Sequence, residues 1–306
     1  MQALGRTQVL PRRGGREHWP DGSQERQVER FYSTGGDSYH DVRGGFLSFG
    51  LRTRVGMTYE EATLEEAYYM GKLAEFTRQS IVLDVGFGNG TQDIVWLERW
   101  APDRIVGIDV TYAHVRRAQE RAARMGVPET KMMFQHGSAT ALSFSEASFT
   151  HVIGLESPPH FDTRERFFHE AYRVLKPGGR IVLADYSLER DPATFFERML
   201  VRQGARLWHV PEKNIYGRDG YIRRLRNAGF YKIHVERRGA DVIPGYVADH
   251  RQSEALWQTM KVRGFWQGVV GGSIIDTAVL KLYERGLLEY IFVTAEKPPI
   301  KDGEAV

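Results

Sequence analysis

Ile81-Val-Leu-Asp-Val-Gly-Phe-Gly-Asn-Gly-Thr91 decides the fold. Apolar residues flank Asp84 on both sides, the continuous hydrophobic run of a parallel strand covered on both faces. Gly86, Gly88 and Gly90 follow as a turn without Cβ atoms, over which backbone N–H groups can approach a ligand closely. The helix expected from Thr91 to Trp100 aims its N-terminus at that ligand. A second apolar strand, Arg104-Ile-Val-Gly-Ile-Asp109, ends in an acid able to take both hydroxyls of a ribose. Strand, glycine turn, helix and acid-tipped strand read together as a site for a nucleoside cofactor.

Spacing narrows the cofactor. Dinucleotide sites use G-x-G-x-x-G, whose last glycine lets the helix pack on the strand. Here the spacing is G-x-G-x-G, and Thr91 stands where that last glycine belongs. Asp84 precedes the glycines, where it would repel a pyrophosphate and welcome a cation. The pattern closely resembles the first motif of class I S-adenosylmethionine-dependent methyltransferases, and the resemblance implies S-adenosyl-L-methionine as cofactor.

Outward from this stretch, strands and helices alternate. A helix from Tyr112 to Met125 carries Arg116, Arg117, Arg121 and Arg124 as a solvated face, and Gly126-Val-Pro128 stops it. A third strand, Lys131–Gln135, leads into Gly137-Ser-Ala139. A fourth runs from Phe149 to Glu156. The helix from Arg164 to Leu175 is broken by Lys176-Pro-Gly-Gly179, and a fifth strand follows to Asp185. This alternation predicts an α/β fold with a Rossmann-like, doubly wound, mostly parallel sheet. Ligands on such sheets sit beyond the carboxyl ends of the strands, so Asp84, Gly86, Asp109, Ser138, Glu156 and Asp185 should face one crevice. Helices over Pro192–Val210 and Tyr221–Ala228, a strand over Tyr231–Arg237 and a closing strand over Leu288–Ala295 complete the pattern. A helical insertion at about 241–287, with Trp257 and Trp266, is expected to cap the substrate.

Upstream, residues 1–24 are rich in Arg, Gly, Pro and Gln without a period, and are expected to form a flexible arm that packs against another subunit. Residues 25–63 are aromatic- and glycine-rich, either a lid or a surface layer on the core. Thr63–Thr77 reads as an amphipathic covering helix through Leu64, Ala67, Tyr68, Leu73 and Phe76. The methyltransferase domain is expected over 64–306.

Composition excludes several classes. With 306 residues, 42% apolar and 26% charged, the chain can bury a full core. The absence of cysteine removes disulfides, thiolate metal sites and cysteine nucleophiles. A net charge of +3 spread along the chain is a solvated surface before it is a nucleic-acid footprint. No apolar run reaches the ~18 residues of a membrane span, and no apolar signal core begins the chain, so a cytoplasmic location is the expectation. No metal ligand set is assigned.

The resemblance spans about residues 64–297 and implies a seven-stranded sheet with an antiparallel last strand. It places cofactor contacts at Asp84, Gly86, Gly88, Gly90, Gln92, Asp109, Val110, Ser138, Ala139 and Leu155, with Asp109 on the ribose and Val110 against the adenine. Arg173-Val-Leu-Lys-Pro-Gly-Gly179 matches the family's turn after the helix. At one position the chain departs from the family. The usual Gly-Asp-Ala after the third strand offers an acid to the adenine amino group; here Ser138 offers a weaker, two-way hydrogen bond.

Glu156-Ser157 followed by His160 resembles the branch that methylates rebeccamycin, tocopherol precursors, sterols and quinone precursors. That implies His160 as general base on an acceptor hydroxyl, with Asp185 and Glu156 as supports. Acceptor contacts are expected from the aromatic lid and pocket wall at Tyr32, Tyr39, His40, Phe46, Tyr186 and Trp208, on a bulky hydrophobic small molecule. An alternative is C-methylation of a prenyl or polyketide-like acceptor with Glu156 as base, the aromatics stabilising a cation. The bland readings remain beside these: His160 as a loop cap, Asp185 as a hydrogen-bonded strand end, the aromatics as core. Ser157-Pro-Pro-His160 is also similar to the S-P-P-aromatic motif of nucleic-acid amino-methyltransferases. It lacks the aromatic, and no basic cluster interleaved with aromatics accompanies it, so nucleic acid is disfavoured.

Overall fold

The computed structural model describes residues 16–33, 45–252 and 271–300. Seven strands form one sheet in the order β3-β2-β1-β4-β5-β7-β6. β1 (Ile81–Val85), β2 (Arg104–Asp109), β3 (Met132–His136), β4 (Phe149–Leu155) and the long β5 (Leu175–Ser187) run parallel. β7 (Glu289–Glu296) lies antiparallel to both β5 and β6 (Tyr231–Arg237). The expected mostly parallel, doubly wound sheet with an antiparallel final strand is therefore present. β5 begins earlier than the glycines implied, because Lys176-Pro-Gly-Gly179 is taken up as a bulge within the strand, with Gly178 at φ 76°.

Alternation within each strand builds two apolar layers. Val82 and Leu83 are adjacent and both wholly buried, yet they enter different clusters on opposite faces of the sheet. One face packs on α2 (Tyr59–Ala74), α3 (Thr91–Trp100) and α4 (Tyr112–Arg124), through Met70, Trp96 and Val115. The same layer takes in Val242 and Tyr246 of α8 (Gly239–Gln252) and Val279 of α9 (Gly271–Glu284). The other face packs on α5 (Arg164–Val174) and α7 (Arg218–Asn227) through Phe167, Phe168, Tyr221 and Leu225. α6 (Phe195–Leu207) adds a small third cluster with Leu282 and Leu287.

α2 starts at a capping box in which Thr58 and Glu61 satisfy each other's backbone N–H groups. Its buried face is Ala62, Thr63, Glu66, Ala67, Met70, Gly71 and Ala74. That face is rotated from the one read from Leu64, Tyr68 and Leu73, and it carries a carboxyl inward.

α1 (Gln24–Ser33) lies across the carboxyl ends of the strands. The arm expected over 1–24 divides here. Glu17 and Trp19 pack on the chain's own β3 end, while residues 1–15 lie outside the described residues. The insertion contributes α8 and α9; Trp257 and Trp266 fall outside the described residues. No described helix is long and apolar enough to cross a membrane.

Candidate active site

The crevice begins at the glycine turn. Gly86, Gly88 and Gly90 all take positive φ, the left-handed region that side chains with a Cβ rarely adopt. A Cβ on Gly86 would lie 2.3 Å from Ser157 Cβ, and one on Gly88 would lie 2.9 Å from Leu47 Cδ1. The turn is thus a bare-backbone cradle, overlain by the segment from Gly45 to Leu51. Gly45 O accepts from Asn89 Nδ2 and Thr91 Oγ1, each at 3.0 Å. Phe46 is buried in this segment, its carbonyl in reach of Tyr59 OH.

Asp109 closes the cradle from β2. Its Oδ2 accepts from Gly88 N at 3.0 Å, its Oδ1 from Thr111 N at 2.7 Å, and His114 Nδ1 stands 3.4 Å away. Burial alone would raise this carboxyl, but the His114 ring and the two N–H groups outweigh it and hold it below the usual range. Val110 turns its carbonyl to Trp19 Nε1 at 3.0 Å and to His136 Nε2 at 2.7 Å. Ala139 and Leu155 are buried at the ends of β3 and β4.

Asp84 lies beneath the turn. It is wholly buried, and Gln92 Nε2 donates to it at 2.9 Å and to Phe87 O at 2.8 Å, so Gln92 braces the turn from below. Burial pushes the Asp84 carboxyl up to about 7, and pushes neighbouring Asp93 well above the usual range with Asp84 adding to the effect. Two carboxyls hold a proton under the glycines, so the charge expected of Asp84 is shared with a residue absent from the sequence reading.

Beyond the turn, Glu156 follows β4 at φ 53°, a strained value for a residue with a side chain. Its Oε1 accepts from Phe49 N at 2.7 Å and lies 2.8 Å from Tyr290 OH; its Oε2 accepts from Tyr186 OH at 2.8 Å. Tyr290 OH also bonds Glu66 Oε1, and Gly50 N donates to Glu66 Oε2 at 3.1 Å. Burial raises both carboxyls, and Glu66 adds to the rise at Glu156. Glu66 and Tyr290 were missed from the sequence. Glu66 had one available signal, a carboxyl at helical spacing on the same face as Ala62, Ala67 and Met70.

His160 ends a one-turn 3-10 helix, Pro158–His160. Its Nε2 lies 3.0 Å from Tyr32 OH on α1, while its Nδ1 is shut from solvent without a partner among the described residues. Burial lowers its pKa to about 4; the backbones of His209 and Trp208 oppose this, and the charges of the His209 ring and Arg164 add to it. The ring is therefore neutral at ordinary pH. Tyr39 and His40 lie outside the described residues.

One pairing has to be corrected. Neither Glu156 nor Asp185 bonds His160 among the described contacts. Asp185 is wholly buried and takes a two-pronged bond from Arg164, Nε to Oδ2 and Nη2 to Oδ1, both at 2.7 Å. Tyr221 OH adds a third at 2.8 Å. A cation at the first position of α5 opposes the helix dipole, so Arg164 answers to Asp185. Its backbone N donates to Asn214 Oδ1 at 3.0 Å, and Asn214 Nδ2 donates to Pro159 O and Phe161 O at 3.0 and 2.8 Å. Asp185 thus braces the turn that carries His160 without touching the ring.

Beside that turn lies an apolar cavity of about 680 Å3, its open mouth included, lined by Pro159, Tyr186, Leu188, Val201, Leu207 and Trp208 among others. Trp208 packs edge-on against Tyr186 at 5.3 Å and Phe49 at 5.4 Å.

Residues 82–179 match the family model described as a methyltransferase domain. The erythromycin 3''-O-methyltransferase of Saccharopolyspora erythraea is 34% identical over 264 residues, covering 84% of this chain and 85% of that protein. The chain belongs to the class I S-adenosylmethionine-dependent methyltransferases. A second relative of this methyltransferase, O-methyltransferase resE of Aspergillus sclerotiorum, is 30% identical over 84% of the chain and 91% of its own. The 27-O-demethylrifamycin SV methyltransferase of Amycolatopsis mediterranei is 29% identical, and the chain spans 61% of its length. Among solved structures, geranyl diphosphate C-methyltransferase from Streptomyces coelicolor A3(2) superposes with a TM-score of 0.71 at 16% identity, covering 92% of this chain and all of that one. The cyclase SpnF superposes at 0.73 with 20% identity, over 92% and 99% of the two chains. These likenesses establish the fold alone, since one fold hosts different chemistries.

The residues fit S-adenosylmethionine. The methyltransferase has a cradle that a Cβ would fill, an organised carboxylate at the end of β2, and the orphaned His160 Nδ1 on the acceptor side. When bound, the cofactor supplies an electrophilic methyl group on a cationic sulfur. The protein's own part is to align the acceptor, exclude water and take a proton.

Proposed function

We propose that this methyltransferase acts on a hydroxyl of a bulky, largely hydrophobic small molecule of specialised metabolism, with His160 as general base. The observation that carries the reading is the apolar cavity beside the His160 turn, walled by Tyr186 and Trp208. A neutral imidazole fits the role, and burial keeps His160 neutral. Two relatives, named for erythromycin and rifamycin O-methylation, support a large polyketide-like acceptor. Gly86, Gly88 and Asp109 would hold the cofactor; Tyr32 would orient His160, and Asp185 would fix its turn through Arg164 and Asn214. The enzyme would work in the cytoplasm on a small molecule, not a nucleic acid. The arm before residue 16 would serve subunit contacts.

A second reading is favoured by one observation. Glu156 stands among Phe49, Tyr186 and Tyr290 with its carboxyl raised by burial, which suits a base on a carbon acid or carbocation. C-methylation of a prenyl or polyketide-like acceptor would then use Glu156. Incubation with S-adenosylmethionine and a panel of hydroxylated macrolides, followed by mass spectrometry and NMR of the product, tests both. A new methoxy signal supports His160; a new carbon-bound methyl transfers the role to Glu156; no turnover across the panel, with cofactor bound, rejects this acceptor class.

A further inference from the structure

Glu25, near the start of α1, meets the chain at the end of β3. Ser138 Oγ donates its one proton to Glu25 Oε1 at 2.9 Å. The same oxygen accepts from Thr140 N at 3.2 Å and lies 3.1 Å from Thr140 Oγ1. Ser138 has no capacity left for a ligand. Glu25 has: its Oε2 takes no hydrogen bond from the described residues, and the side chain is half-buried. A half-buried carboxylate oxygen free of protein donors is open to a ligand donor, which would take the place of water.

The sheet order says which donor. β3 and β2 are neighbours, with His136 in register with Asp109, and β1 and β4 lie on the far side of β2. The methyl must be delivered beside β4, where Glu156 and His160 stand. The ribose belongs at Asp109. A nucleoside laid in that direction leaves its base for the end of β3, between Val110 and Ala139. The edge of adenine carries an exocyclic amino group, a double donor. α1 is held in place for this by contacts independent of Glu25: Gln24 Nε2 donates to His160 O at 3.0 Å, and Tyr32 OH meets His160 Nε2.

We propose that Glu25, oriented by Ser138, accepts a hydrogen bond from the adenine amino group and makes this methyltransferase selective for adenine. The inference rests on the S-adenosylmethionine reading of the site. It also makes α1 a shared element, one helix touching the base at Glu25 and the acceptor-side histidine at Gln24 and Tyr32.

The test is calorimetric titration of S-adenosylhomocysteine and of its analogue with hydrogen in place of the amino group. Wild-type protein should prefer the amino compound by tenfold or more, the scale of a hydrogen bond to a charged acceptor. Glu25→Ala should lose that preference, binding the two ligands equally, with affinity for the analogue little changed. Ser138→Ala, which frees the carboxylate without removing it, should keep part of the preference. Equal weakening of both ligands in Glu25→Ala would make Glu25 a fastener of α1 only, and overturn the proposal. So would a wild-type protein indifferent to the amino group. A wild-type protein that binds neither ligand would instead reject the cofactor reading, and this inference with it.

Discussion

Glu66 on α2 and Glu156 after β4 are joined through the single hydroxyl of Tyr290. A phenol has one proton, so it can donate to only one of the two carboxyls; the other contact requires a carboxylic acid to donate back. The pair therefore holds a proton of its own. Among the described residues, Phe49 N, Tyr186 OH and Tyr290 OH hydrogen-bond Glu156, whereas Gly50 N and Tyr290 OH hydrogen-bond Glu66 and the Ser48 hydroxyl lies close enough to lower it. The fuller hydrogen bonding at Glu156 favours the proton on Glu66, against burial, which raises Glu156 the more.

Glu66→Gln should consequently be mild, within about 1 kcal/mol of wild type, because the amide can accept from Gly50 N and donate to Tyr290. Glu156→Gln places an amide where donors converge and should destabilise by about 1–3 kcal/mol. Denaturant titration gives the ranking, and the reverse order would put the proton on Glu156. Infrared spectroscopy at neutral pH should show protonated-carboxyl absorption that Glu66→Gln weakens, leaving the share of the Asp84–Asp93 pair.

For His160, replacement by Ala should lower kcat by ~10²-fold or more if it takes the acceptor proton. Its folded pKa of about 4 lies below the unfolded value, so the folded protein binds fewer protons between about 4 and 6.5. Its stability contribution is present above that window and is lost as pH falls through it. Activity should hold to pH values below those of an exposed histidine. An acid limb near pH 6.5 in the rate profile would contradict this burial.

Asp84 has the opposite sign. Its folded pKa of about 7 exceeds the unfolded 3.8, so the folded state binds more protons through that window, and stability declines as pH rises through it. Asp84→Asn should flatten that decline in melting curves recorded from pH 4 to 8. An unchanged slope would place the proton elsewhere in the Asp84–Asp93 pair.

Breaking the buried Arg164–Asp185 pair should be severe. Asp185→Asn leaves Arg164 charged and without its carboxylate, at about 3–5 kcal/mol. Activity should fall in step with the folded fraction and with loss of order in the His160 turn. A fully stable Asp185→Asn protein with a ~10²-fold lower kcat would return Asp185 to a direct role at the histidine.

At the glycine turn, Gly86→Ala should abolish S-adenosylhomocysteine binding in calorimetry. The added Cβ meets Ser157 Cβ at 2.3 Å, close to the backbone of a fixed turn. Gly88→Ala meets only the far end of Leu47, which can swing aside, so its loss of affinity should be smaller. Equal losses would show that backbone conformation, shared by both positions, decides.

The sequence by itself determined the sheet, the glycine turn and the acid that ends β2. Those features depend on contiguous runs: an apolar strand, three glycines at fixed spacing, and a strand ending in Asp109, all local enough for periodicity to register. It also placed Glu156, His160 and Asp185 at one edge of the sheet, because parallel strands bring their carboxyl ends together. What those groups touch was decided only by tertiary structure. Tyr290 reaches the crevice from the start of β7, since an antiparallel strand presents its amino end where its neighbours present their carboxyl ends; in register, Tyr290 faces Tyr186. Glu66 enters from a helix ahead of the cofactor strand, and Glu25 from a helix earlier still. Asp185 was legible as a strand-end acid, but its partner is Arg164 because both are sealed from water, where an unpaired charge is costly. Residues far apart in the chain meet only when the sheet closes, and no local pattern records which of them share a proton.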